Sequence, residues 1–100
     1  MGINFKTYPV EYEIGDPKAT DIRKTIGNEI NKNTSDIGLS DLAREIYYSE
    51  GEIEIPENYK VLIIRIISES PVILGSLKKS LIASFTKGNK NNNSPKNKTK

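Results

Sequence analysis

Two pairs of alternating glutamates, Glu11 with Glu13 and Glu52 with Glu54, are the acidic side chains whose spacing suggests a charged site. Carboxylates act as general acids and bases, hold hard cations, or dock basic partners. One apolar residue separates each pair, Tyr12 in the first and Ile53 in the second, so a strand would send both carboxylates of a pair to one face. If the two segments pair, all four glutamates share an outer face. Like charges opposite each other across a strand pair are unfavourable, so such a ridge calls for a basic partner or the chain's own basic end. A calcium site needs more oxygen ligands in a tight loop and fits this pattern less well. The plain alternative is a solvated polar face.

A second candidate set lies at the end of the chain. Residues 87–100 carry Lys87, Lys90, Lys96, Lys98 and Lys100 and no acid. Such lysines can neutralise phosphates and give salt-dependent, sequence-blind affinity for nucleic acid. The segment has no arginine and no aromatic residue to stack on bases, so a solubilising or partner-tethering tail is the better account of it. The tyrosines form a third set. Tyr47, Tyr48 and Tyr59 fall near helix ends, where a ring is buried and its hydroxyl stays wet. Tyr47 continues an apolar stripe, which turns the neighbouring Tyr48 elsewhere, either to the edge of the core or to a contact with another chain.

Much chemistry is excluded by residue type. With no Cys, His or Trp, the chain has no disulfide, no thiolate or imidazole metal ligand, and no Cys or His nucleophile. It has no Gly-rich phosphate loop and no Gly-x-Ser-x-Gly turn, so neither an enzyme nor a cofactor is expected. Charge is informative only after the chain is divided. The whole is +2, but residues 1–86 hold ten basic and thirteen acidic residues, an acidic body of net −3 ahead of a basic end. The longest apolar run, Val61 to Ile64, is far short of the roughly 20 residues of a membrane span, and the N-terminus has no signal-peptide pattern. A cytoplasmic protein without membrane or metal follows as the expectation.

The elements that must position these residues can be read from periodicity. Tyr8, Val10, Tyr12 and Ile14 alternate with polar positions and predict an edge strand, followed by a turn at Gly15-Asp16-Pro17. From Lys18 the spacing of Ala19, Ile22, Ile26 and Ile30 predicts a helix. A second helix is capped by Ser40 or Asp41, buries Leu39, Leu42, Ala43 and Ile46, and ends at Gly51. Glu52 to Ile55 reads as a short strand that pairs with residues 8–14. Pro56 then opens a helix to about Ser70 that is apolar on most sides, and such a helix is expected at the centre of the fold. Pro71 opens the last helix, with Ile73, Leu74, Leu77, Leu81, Ile82 and Phe85 inward. The expected fold is mainly α, a small α+β domain over residues 1–86. About four helices surround a central apolar helix beside a two-stranded β element, and residues 87–100 form a disordered tail.

Between residues 42 and 82 the order of motifs is distinctive. The Leu42-Ala43-Arg44-Glu45-Ile46-Tyr47 helix, the Glu52-Ile53-Glu54-Ile55 alternation, an aliphatic helix and the Pro71-Val72-Ile73-Leu74-Gly75 segment together resemble a group of short phage and prophage proteins. The resemblance covers under half of the chain and implies a viral genomic context, with no chemistry attached. Ile, Lys and Asn supply 37 of the 100 residues, the signature of an A/T-rich coding sequence, which weakens functional arguments from lysine content alone. The expected function is a small non-enzymatic interaction module that binds a protein or itself, with assembly as one possible setting. Two alternatives accompany it: a nucleic-acid accessory protein acting through the terminal lysines, and an inhibitor of a host enzyme acting through the acidic face.

Overall fold

A computed structural model describes residues 2–87. The fold is mixed α+β, with four helices and two separate two-stranded antiparallel sheets among the described residues. In chain order the elements are β1 (Ile3–Asn4), β2 (Tyr8–Glu13), β3 (Asp16–Thr20), α1 (Arg23–Lys32), α2 (Ile37–Tyr48), β4 (Glu52–Ile53), α3 (Glu57–Glu69) and α4 (Gly75–Lys87).

The edge strand is present as β2, but its partner is β3 rather than the Glu52–Ile55 segment. Tyr8 pairs with Thr20 and Val10 with Lys18, and the register shifts between Glu11 and Glu13. The chain reverses at Ile14-Gly15, where Gly15 takes φ +83°, a left-handed conformation that glycine adopts without steric cost. The helix expected from Lys18 therefore starts later, at Arg23. Ala19 matches helical spacing but lies in β3, because hairpin pairing, which sets it opposite Pro9, outcompetes the weak helix propensity of Asp16-Pro17-Lys18. Proline is tolerated at both Pro9 and Pro17 because a two-stranded ribbon consists only of edge strands. The apolar face of β2 is buried only at Tyr8 and Val10; Tyr12 and Ile14 are exposed.

β4 pairs instead with β1, in the register Ile3 to Ile53 and Asn4 to Glu52. Between β1 and β2 the chain buries Phe5 completely, and the Phe5 carbonyl accepts a hydrogen bond from the Ile22 amide at 2.8 Å. That bond ties the N-terminal segment to the start of α1.

α1 and α2 pack closely. Ile22, Ile26 and Ile30 supply the predicted stripe, and Leu39, Leu42, Ala43 and Ile46 answer it from α2. Gly27 permits the approach: a β-carbon there would lie 2.9 Å from the Ala43 carbonyl oxygen. The cap of α2 is Asp36, whose Oδ1 accepts from the Leu39 amide at 3.0 Å. The residues expected to cap it are already inside the helix, where Ser40 donates to Asn31 Oδ1 on α1 at 2.7 Å. Ser49, rather than Gly51, closes the helix.

α3 forms where expected, with Pro56 as its N-cap, but it is not enclosed on all sides. Ile63 and Ile67 are buried, Tyr59, Ile64 and Ile66 are half-buried, and Val61 is 70% exposed with Leu62 also outward. Two isoleucines one turn apart make a single buried stripe, worth about 1.5–3 kcal/mol each. Pro71 lies in the link after α3, four residues before α4, so it ends one helix without opening the next. α4 buries Leu77, Leu81 and Phe85 and packs on both α3 and β2. The Tyr8 hydroxyl lies in hydrogen-bond contact with Ser80 Oγ and Ser84 Oγ, 2.9 Å from each, and Ser76 Oγ donates to the Glu11 carbonyl at 2.8 Å. These bonds fasten the hairpin along α4.

Candidate functional site

The acidic ridge expected from paired strands does not form. Glu11 and Glu13 lie on the β2–β3 hairpin, while Glu52 lies on β4 opposite Asn4, in a different sheet. Glu54 follows β4 on the way into α3. Glu11 is also engaged locally, since its Oε2 accepts from the Gly15 amide at 2.6 Å and so braces the hairpin turn. Glu13 makes no ion pair among the described residues and stands beside Ile14, which is fully exposed at the tip. No group of three or more acidic residues among the described residues is placed to hold a metal ion.

Tyr48 lies 67% exposed at the end of α2. Its ring meets that of Tyr47 edge to face, with centroids 4.8 Å apart at 67°. Tyr47 is half-buried, and Lys24 Nζ on α1 stands 5.9 Å from its ring centre. Both tyrosines border a groove of about 190 Å³ between α1 and α2 whose floor is Gly27 and Ala43. Asn28 and Asn31 line its α1 side and Arg44 its α2 side. The groove exists because its floor carries a glycine and an alanine where longer side chains would fill it. No acidic residue lines it.

Two polar clusters lie outside the set marked by sequence. Arg23 grips Asp21 with two bonds, Nε to Oδ1 at 2.9 Å and Nη2 to Oδ2 at 2.7 Å, and donates to the Ser49 carbonyl at 2.8 Å. Glu50 stands 3.5 Å from Arg23 and 2.6 Å from Lys6. The hydrogen bond from Arg23 holds the Asp21 carboxyl down to about 2, and that from Lys6 holds Glu50 below its usual range. Glu29, on α1, is 3% exposed and pairs with Lys32 Nζ at 2.9 Å. The bond to Lys32 lowers its pKa against the opposing effect of burial, and Ser70 adds a further hydrogen bond. The hydrogen bonds and ion pairs of the two clusters join the segments around α1.

Of the terminal lysines, Lys87 is the last residue of α4. Lys90, Lys96, Lys98 and Lys100, with the tail expected over 87–100, lie outside the described residues apart from Lys87. No described helix is long and apolar enough to cross a membrane. Comparison with known proteins finds no matching family model, no similar curated protein and no similar solved structure.

Proposed function

We propose that the chain is a small non-enzymatic interaction module, encoded by a phage or prophage, that acts in the host cytoplasm by binding a protein or a second copy of itself. The observation that carries this reading is the incomplete cover over its apolar residues. Val61 and Leu62 are adjacent on α3 and both exposed, and Val72 and Leu74 follow in the link to α4 with their side chains also in water. Single exposed apolar residues are ordinary, but neighbouring ones on a body this small are association surface. The exposed Tyr48 beside its groove adds an aromatic anchor of the kind enriched where proteins meet.

The test combines light scattering over a wide concentration range with cross-linked capture by the tagged full chain in host extract. A concentration-dependent rise in mass, or a protein captured by the wild type and lost with Val61→Ser/Leu62→Ser or Tyr48→Ser, is the expected result. A strict monomer that captures nothing removes the reading. Capsid or tail genes beside the coding gene support the viral assignment, and a chromosomal metabolic operon there overturns it.

A further inference from the structure

The chain carries two unused surfaces of opposite character. Arg44 lines the α1–α2 groove, Lys24 stands 5.9 Å from the centre of the Tyr47 ring that also lines it, and neither cation makes an ion pair among the described residues. The Tyr47 and Tyr48 rings line it together with Asn28 and Asn31. The tip of the β2–β3 hairpin presents the reverse. Ile14 is 100% exposed, Glu13 beside it has no ion-pair partner among the described residues, and Tyr12 is exposed on the same strand. Glu11 and Asp16 are already occupied, by the Gly15 amide and by Lys18 at 3.4 Å. Within one copy the two surfaces cannot meet, because Tyr8 and Glu11 fasten the hairpin to α4 while the groove belongs to α1 and α2.

We infer that the hairpin tip of one copy docks in the α1–α2 groove of a second copy. This rests on the interaction reading above and names its partner. Ile14 enters the recess over Gly27 and Ala43, where about 190 Å³ receives one branched aliphatic side chain beside the paired tyrosine rings. Glu13 meets Arg44 in the groove lining and Lys24 beside the Tyr47 ring. The charges are opposite in sign: no acid lines the groove, and the tip carries no unpaired base. Self-docking thus covers the most exposed large apolar side chain among the described residues and neutralises charges that have no ion-pair partner among them. The charged pairs are solvent-exposed, so they set register and salt sensitivity, while the buried Ile14 supplies affinity. Groove and tip are different surfaces, so the contact is head-to-tail. It grows past the dimer unless a ring closes.

Head-to-tail docking has a distinctive test. Sedimentation equilibrium of the full chain, from micromolar to millimolar, should show mass rising with concentration and less steeply at high salt. A tip variant, Glu13→Lys/Ile14→Ser, and a groove variant, Lys24→Glu/Arg44→Glu, should each weaken self-association about tenfold or more. Every substituted side chain lies on the surface, and circular dichroism confirms that each variant is folded. Mixed together, the two variants retain one intact groove and one intact tip between them. They should form a 1:1 dimer that grows no further. Wild-type association that survives both double substitutions overturns the inference, as does a mixture in which the variants do not pair. A monomeric wild type that still captures a host protein also overturns it while leaving the interaction reading in place. Loss of both self-association and capture removes the two together.

Discussion

Arg23 and Asp21 form a two-point pair across the entry to α1, with donor–acceptor distances of 2.9 and 2.7 Å, and the same guanidinium reaches the Ser49 carbonyl at the far end of α2. One arginine therefore joins the end of the hairpin to the end of a helix 26 residues further along the chain. Its planar fork makes this possible where an ammonium would engage one group at a time.

Acid should loosen the fold through this cluster. The Asp21 carboxyl is lowered from 3.8 to about 2, and Glu50 and Glu29 are also lowered. A carboxylate with a depressed folded value stabilises fully above its unfolded value and loses that contribution as pH falls through the folded one. Urea midpoints should accordingly be flat above about pH 5 and fall between about pH 4 and 2. Asp21→Asn should lower stability at neutral pH and flatten that fall; an unchanged slope contradicts the assignment.

Gly27 should resist substitution. Alanine gains about 1 kcal/mol of helix propensity, but its β-carbon would sit 2.9 Å from the Ala43 carbonyl oxygen and 3.1 Å from Tyr47 Cβ. Those neighbours are backbone and the root of a side chain, which cannot swing away, so Gly27→Ala should cost roughly 1–3 kcal/mol by overpacking. Gly75→Ala, at the start of α4 with open space around it, should be neutral or stabilising by up to about 1 kcal/mol. Thermal denaturation of the two variants compares them directly.

Burial along α3 predicts a sharp contrast within one helix. Ile67→Ala, in the buried stripe, should cost about 2–5 kcal/mol. Val61→Ser should stay within about 0.5 kcal/mol, since its side chain is already in water. Equal losses at both positions would mean that Val61 is covered in solution, and the concentration dependence of its loss would identify self-association as the cover.

The cap of α2 offers a further check. Asp36→Ala should cost about 1 kcal/mol through the orphaned Leu39 amide, together with a 3.3 Å contact to the Tyr59 hydroxyl on α3. Asp41→Ala should cost less, because Asp41 lies exposed within the helix. Helicity and unfolding midpoints measured side by side decide between the two caps.

Sequence alone was sufficient for whatever depends on a local repeat. The segments of α2, α3 and α4, the edge strand at Tyr8 and Val10, and the turn at Gly15 follow from side-chain spacing and from the conformations that proline and glycine permit. It also excluded thiol and imidazole chemistry outright, because those residue types are absent. Partnership between distant segments was decided only in three dimensions. Ala19 fits a helical stripe yet joins a strand, Glu52 pairs with Asn4 rather than lying beside Glu11, and Phe5, isolated among polar neighbours, becomes a fully buried core residue. The same holds for the Arg23 cluster and for the groove beside Tyr48, whose floor is a glycine and an alanine from different helices. A hydrophobic pattern states that a face must be buried, but not against what. That choice is made by the competition of all segments for the same small core, and on α3 it left Val61 and Leu62 in water.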